Sequence, residues 1–182
     1  MIFDKKTYTS LFIWLGVFFF RLLPPPFRMP NVEPLLASVM PVSARMPRWA
    51  GMLFATSGIV VYDTVTSGVG VWTLVTAIAF GMIAFASHYY FSAKRQTRAH
   101  FVGFGIASTL WYDAVTGLTI GPLFWHQSLI QAIVGQIPFT LLHLVGTTLF
   151  AIVLSPAIIA LFDRITEPFP KASQIFARVP LR

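Results

Sequence analysis

Two aspartates in matching contexts are the residues of this sequence best placed for chemistry. Asp63 follows Tyr62 and Asp113 follows Tyr112, and each pair continues x-Val-Thr, with an offset of fifty residues between the copies. A carboxylate near the end of a membrane helix is costly unless it is paired, hydrated or functional. Either each aspartate marks the point where its helix meets water, or both belong to one polar site at the same depth. The repeat is either a parallel duplication or a chance similarity of two apolar helices.

A polar stripe runs along the last apolar segment. Its members, spaced four, three and four residues apart, are Gln136, Thr140, His143 and Thr147. This spacing places all four on one face of a helix. In a helix that crosses a membrane, such a polar face packs against protein or water rather than against lipid. The stripe either bonds neighbouring helices together or forms the deep wall of a binding cavity. Gln131 extends the polar character toward the start of the helix.

Further polar and aromatic residues are expected to gather on the same side of the protein. They are Trp72, Trp125, His126, Asn31 and Glu33. Tryptophans at a membrane interface are commonly plain anchors. Aromatic side chains with a few fixed polar groups also form pockets for small planar ligands. The candidate ligand-binding set therefore comprises Asn31, Glu33, Tyr62, Asp63, Trp72, Tyr112, Asp113, Trp125, His126, Gln131, Gln136 and His143.

Several chemistries lack their motifs in this chain. It has no Gly-Lys-Ser/Thr phosphate loop, no His-Glu-x-x-His and no Gly-x-Ser-x-Gly. The absence of cysteine excludes disulfides and thiolate metal sites. Asp113 follows Leu-Trp-Tyr, so the Gly-x-Gly-Asp of intramembrane aspartyl proteases is missing. The expectation is a protein that is not an enzyme and has no cofactor and no metal site.

The composition indicates which elements hold these residues. The chain is 56% hydrophobic and 10% charged, with a mean hydropathy of +0.74, whereas soluble domains carry about 25% charged residues. We therefore expect an all-α, polytopic integral membrane protein. The chain has a net charge of +7, and its Lys and Arg residues fall in short clusters between apolar stretches. This pattern indicates basic loops at a membrane surface, in contact with lipid headgroups, rather than a nucleic-acid-binding protein.

Six helices are predicted, with a lid-like connection at 24–34 and a basic tail at 163–182. The helices cover about 8–23, 35–46, 49–67, 71–91, 101–116 and 127–162. The second is shorter than the roughly 17 residues that a crossing needs, so a re-entrant or interfacial segment is the alternative. With six crossings and both termini in the cytoplasm, eleven of the thirteen Lys and Arg residues lie on the cytoplasmic side. The positive-inside rule therefore favours six. The first helix lacks a cleavage site and is expected to stay in the mature protein.

At this point the chain resembles the S component, the substrate-binding membrane subunit, of energy-coupling-factor transporters. The resemblance covers about residues 20–162 and depends on size, helix number and three local features. These are Arg21-Leu22-Leu23-Pro24 leading into Pro30-Asn31-Val32-Glu33-Pro34, the Tyr-Asp-x-Val-Thr pairs, and Gly121-Pro122 before Gln136-Ile137-Pro138-Phe139. The chain departs from the family pattern in helix 1, which lacks the Ala-x-x-x-Ala that docks the coupling subunit in many members. It is also similar to small six-helix bacterial membrane proteins with no assigned role.

The resemblance implies a vitamin or small-molecule uptake role in the bacterial cytoplasmic (inner) membrane. An S component binds its ligand from outside and works with a membrane coupling subunit and two cytoplasmic ATPases. The connection at 24–34 would then be the lid. The competing hypothesis is a structural or assembly subunit of a larger membrane complex, with no ligand of its own. The Phe-rich surface and the absence of a strong catalytic motif favour that alternative.

Overall fold

The computed structural model describes residues 4–24 and 27–166. Within these ranges it contains helices and no strand. The helices are α1 (Lys5–Arg21), α2 (Leu35–Arg45), α3 (Arg48–Val65), α4 (Val71–Ala93), α5 (Arg98–Gly117), α6 (Ile120–Phe124) and α7 (Leu129–Thr166). They account for 82% of the described residues, which confirms the all-α class.

Local sequence explains where several helices begin. Asp4 precedes α1, and its carboxylate accepts a hydrogen bond from the backbone N–H of Thr7 at 2.9 Å, as a favourable N-cap does. Thr97 caps α5 in the same way, through the N–H of His100. Pro47 separates α2 from α3, because a proline inside a helix removes a backbone donor and clashes with the preceding turn.

α2 lies at the centre of the bundle. It packs against α3, α4 and α7, with smaller contacts to α1 and α5, and every residue from Leu35 to Ser43 is buried. A helix that is apolar all round belongs inside a protein. With 11 residues it rises only about 16 Å, so the elements around it extend well beyond its ends.

Pro41 lies inside α2 and leaves one backbone carbonyl without its usual partner. Proline has no N–H, so the oxygen of Ala37, four residues earlier, receives no helical hydrogen bond from it. Ser155 of α7 donates its hydroxyl to this oxygen at 2.6 Å, and Ser155 is fully buried. A side chain of α7 therefore completes the hydrogen bonding of the central helix.

The helices alternate in direction. The start of α3 contacts the end of α4 through Arg48 and Tyr89, and the end of α3 contacts the start of α4 through Asp63 and Thr73. α2 and α7 run the same way, since Arg45 at the end of α2 forms an ion pair with Asp163 near the end of α7.

This alternation gives the bundle two chemically different ends. One, the basic end, carries eight of the ten described Lys and Arg residues: Lys5, Lys6, Arg45, Arg48, Lys94, Arg95, Arg98 and Arg164. The opposite one, the cavity end, carries Arg21 and Arg28.

Some element boundaries differ from the predicted ones. The connection predicted as a plain loop before residue 127 contains the one-turn helix α6, and α7 begins at Leu129 rather than at 127. The first four residues of the predicted basic tail, 163–166, belong to α7 instead. The rest of that tail, and residues 25 and 26 of the predicted lid, lie outside the described residues.

By length and composition, α4 and α7 are the two described helices that could cross a membrane, and α2 is apolar but shorter.

Candidate functional site

A cavity of about 320 Å³ opens at the cavity end of the bundle. Its walls come from the end of α1, the segment 28–33, the end of α3, the start of α4, the end of α5 and the middle of α7. The lining residues are Arg21, Arg28, Pro30, Asn31, Glu33, Ile59, Tyr62, Asp63, Ser67, Trp72, Thr76, Tyr112, Phe139 and His143. Its size is at the lower end of the range for small-molecule pockets, about 300–1,000 Å³.

Arg21 organises one wall of this cavity. Its Nε donates to Glu33 Oε2 at 2.8 Å, and its Nη1 donates to the backbone oxygen of Gly58 at 2.7 Å. The guanidinium carbon lies 4.0 Å from the centroid of the Tyr62 ring, within the range of a cation–π contact. Arg21 is only 8% exposed, so these three contacts replace the water that its charge would otherwise bind.

Asp63 lies on the α3 side, where it is 5% exposed. Its Oδ2 accepts a hydrogen bond from Thr73 Oγ1 at 2.7 Å, and Thr73 belongs to the first turn of α4. The backbone oxygen of Asp63 also accepts from the N–H of Gly68, whose φ of +84° is a left-handed conformation that favours glycine. The α3–α4 turn therefore fixes the carboxylate at the cavity wall.

Asp113 and His143 form a buried pair between α5 and α7. His143 Nδ1 lies 2.8 Å from Asp113 Oδ1, and both side chains are almost fully buried. Nε2 is the ring nitrogen that does not take part in this contact, and His143 lines the cavity. Asp113 Oδ2 is buried without a hydrogen-bond partner among the described residues. The rings of Tyr112 and Phe139 contact the imidazole of His143 edge-to-face, with ring centroids 5.6 and 6.0 Å from its own.

The segment 28–33 forms another wall of the cavity and lies close against α7. Asn31 adopts a φ of +61°, a left-handed conformation in which Asn is one of the few tolerated residues. A Cβ at Gly146 would lie 2.8 Å from Val32 Cα. Only glycine therefore allows the backbone at Val32 to approach α7 this closely. Glu33, paired with Arg21, lies two residues before α2, where the helix dipole favours an anion.

Seven of the twelve candidate residues line the cavity: Asn31, Glu33, Tyr62, Asp63, Trp72, Tyr112 and His143. Asp113 does not line the cavity but contacts His143, which does. Asp113 and Gln136 both line a separate groove between α5 and α7. Trp125, His126 and Gln131 are exposed and do not line the cavity. The structure thus brings the two Tyr-Asp pairs near one cavity but leaves the start of α7 outside it.

The polar stripe of α7 divides between the two interpretations. Thr147 lies 3.0 Å from Thr109 of α5, oxygen to oxygen, and both are buried, so this part joins two helices. Gln136 donates weakly to Thr140 within α7 at 3.4 Å. His143 alone of the four lines the cavity.

Arg21 is the important lining residue that the sequence interpretation left out of the site. It follows a run of apolar residues at a helix end, where a basic side chain usually extends to the interface. The one sequence feature that could have indicated the role of Arg21 is an acidic residue twelve positions later, Glu33, with which it forms an ion pair. Among the described residues, no group of three or more His, Asp or Glu side chains is arranged to hold a metal ion.

Comparison of the chain with protein-family models, with curated proteins and with solved structures finds no match in any of the three. The resemblance to S components therefore depends on the sequence features alone.

Proposed function

We propose that this chain is a multi-pass membrane protein that captures a small molecule in the cavity. In this proposal it is the substrate-capture subunit of an uptake transporter, energised by separate ATPases through a membrane coupling subunit. The observation that carries the proposal is the cavity itself: a buried set of charged, aromatic and imidazole side chains, held in fixed positions by specific hydrogen bonds. Such convergence of a few polar groups in a concave site is typical of ligand binding.

The outer surface of the bundle supports a lipid environment. Large apolar side chains are exposed on several helices, among them Phe12 at 73%, Leu53 at 68% and Ile130 at 75%. A soluble protein seldom exposes such a continuous apolar surface. Only 33% of the residues in the most apolar 18-residue stretch of α7 are buried. Most of that stretch therefore faces outward, unlike a core helix of a soluble protein.

The charge distribution supports six crossings with both termini inside. The basic end corresponds to the cytoplasmic side under the positive-inside rule, and the cavity then opens outward. Arg21 does not weaken this assignment, because its pairing with Glu33 gives it a role in the cavity wall. α2 is too short to cross alone. The non-helical residues 30–34 complete that crossing, and irregular backbone is tolerated at depth where protein covers it.

The proposed lid is the connection at 24–34, and its segment 28–33 lines the cavity. It is held by two contacts, the ion pair between Arg21 and Glu33 and the close approach to Gly146. Four of its residues line the cavity: Arg28, Pro30, Asn31 and Glu33. A rearrangement of this short segment would therefore change access to the cavity without moving a helix.

The test is purification in mild detergent followed by mass spectrometry of small molecules released on denaturation. We expect a bound metabolite in the native protein and its loss in an Asp63→Asn, His143→Ala double variant. Gln131→Ala is the matched control, because Gln131 is exposed and outside the cavity. Helix content by circular dichroism and a single size-exclusion peak establish that each variant is folded. No retained molecule in the native protein, or equal retention in the double variant, would contradict the proposal.

A structural or assembly subunit is the second candidate. An apolar groove of about 390 Å³ between α1 and α7 favours it. The groove is lined by Phe12, Phe20, Phe150 and other apolar residues, and phenylalanine faces suit packing against another membrane helix. Co-purification from native membranes separates the two candidates. Recovery with two ATPases and a coupling subunit supports capture, whereas stable recovery in another assembly, without a bound metabolite, supports the structural function.

A further inference from the structure

The charges lining the cavity are not all paired with one another. Arg21 is paired with Glu33, and His143 with Asp113. No ion pair joins Arg28 or Asp63 to any residue within the described ranges. One cation and one anion therefore face the same cavity without an ionic partner from the protein.

Asp63 offers an acceptor to a ligand. Thr73 donates to Oδ2, and no described hydrogen bond reaches Oδ1. The neighbouring cation does not fill this position, because the Arg21 guanidinium is directed at Glu33, the oxygen of Gly58 and the Tyr62 ring. A carboxylate that is 5% exposed is stabilised by a charged N–H donor more than by a neutral one.

Arg28 offers the complementary donor. Its Nε is buried and makes no hydrogen bond to the part of the chain that the structure describes. A planar guanidinium with free N–H groups matches the two oxygens of a carboxylate. Leaving a buried donor of a charged group unsatisfied is costly. An anionic group of a ligand would remove that cost.

The cavity that holds these charges is also lined by aromatic rings. The Tyr62 ring is already covered by Arg21, and Tyr112 packs against Phe80 with ring centroids 4.8 Å apart. Trp72 is 40% exposed at the wall and Phe139 is half-buried beside His143. These two rings remain for contact with a planar part of a ligand.

We propose, on the basis of the capture function above, that the ligand is a small aromatic zwitterion, with its ammonium at Asp63 and its carboxylate at Arg28. A ligand with both charges neutralises both unpaired side chains together. A molecule with one charge leaves either the buried carboxylate of Asp63 or the buried Nε of Arg28 without a charged partner, which is costly.

The test uses three probe mixtures with the same rings and different charges. The first contains phenylalanine, tyrosine and tryptophan, the second the corresponding amines, and the third the corresponding carboxylic acids without the amino group. Retention by the full-length protein in detergent, stripped of bound metabolites, is measured by equilibrium dialysis and mass spectrometry. We expect the zwitterions to bind at least about tenfold more tightly than either singly charged set.

Two variants assign the charges. Asp63→Asn is expected to weaken zwitterion binding at least about tenfold and not to weaken binding of the acids, which have no ammonium for Asp63 to bind. Arg28→Gln is expected to weaken zwitterion binding equally and not to weaken binding of the amines, which have no carboxylate for Arg28 to bind. Gln131→Ala serves as the control, and circular dichroism and size exclusion verify folding.

Equal or tighter binding of amines or acids would overturn the assignment, and so would failure of all three mixtures to bind. The capture function has its own readout, the metabolite retained by the native protein. A retained metabolite of another charge class, together with no zwitterion binding, rejects the ligand class and leaves the capture function standing.

Discussion

Replacement of Gly146 by alanine tests how closely the segment 28–33 must pack against α7. The new Cβ would lie 2.8 Å from Val32 Cα, and 3.3 Å from both the oxygen of Asn31 and the nitrogen of Glu33. Restoring ordinary contact, at about 3.5 Å, requires the backbone at Val32 to move by about 0.7 Å. These atoms belong to the backbone, so a side-chain rotation cannot relieve the contact. Overpacking of this kind costs about 1–3 kcal/mol.

Gly135→Ala is the matched control for this variant. Gly135 lies on the same helix, and nothing lies within 4 Å of its added Cβ. Alanine is favoured over glycine in a helix by about 1 kcal/mol, so both variants share that gain and their difference isolates the clash. We expect Gly146→Ala to have the lower thermal midpoint and to retain several-fold less metabolite, because Asn31 and Glu33 line the cavity.

The measurements are thermal unfolding in detergent, followed by circular dichroism, and mass spectrometry of the retained metabolite. Equal midpoints and equal retention in the two variants would refute the inference that this contact positions the wall. A lower midpoint with full retention would show that the contact stabilises the fold without positioning the cavity.

Two further pairs of substitutions, each a test and its control, examine particular contacts by unfolding in detergent. Glu33→Gln breaks a nearly buried ion pair and should destabilise the protein by about 3–5 kcal/mol. Asp163→Asn breaks a more exposed pair and should cost no more than about 1 kcal/mol. Similar losses for both would contradict the inference that burial makes the first pair more important. Ser155→Ala removes the donor to the Ala37 oxygen and should cost about 1–3 kcal/mol, and Ser92→Ala, at an exposed position, should change stability by less than about 0.5 kcal/mol. A neutral Ser155→Ala would show that the Ala37 oxygen has another partner.

Much of the helix arrangement could be predicted because prolines and glycines mark the ends. Prolines 34 and 47 bracket the short second helix, predicted at 35–46 and observed at Leu35–Arg45. The long last helix was also predictable from its apolar run despite its internal prolines. The central, fully buried position of α2 could not be predicted, because burial on all sides depends on helices that are distant in sequence.

The site was harder to predict because the two Tyr-Asp pairs have different partners. α3 packs mainly on α4, which brings Thr73 to Asp63, whereas α5 packs mainly on α7, which brings His143 to Asp113. Identical local sequence cannot reveal which helix is the neighbour. Trp125 and His126 precede α7, and Gln131 lies in its first turn, about 18 Å along the helix axis from His143. All three lie outside the cavity.

The buried position of α2 also has a consequence for how such a protein is assembled. In a bilayer, an 11-residue helix preceded by irregular backbone has neither the length to be inserted alone nor the internal hydrogen bonds to tolerate lipid around residues 30–34. Pro41 adds an unsatisfied carbonyl that is satisfied only when Ser155, more than a hundred residues later, has been synthesised. The central helix would then obtain its last hydrogen bond only once α7 is in place, and a chain truncated before α7 would leave the Ala37 oxygen without this donor.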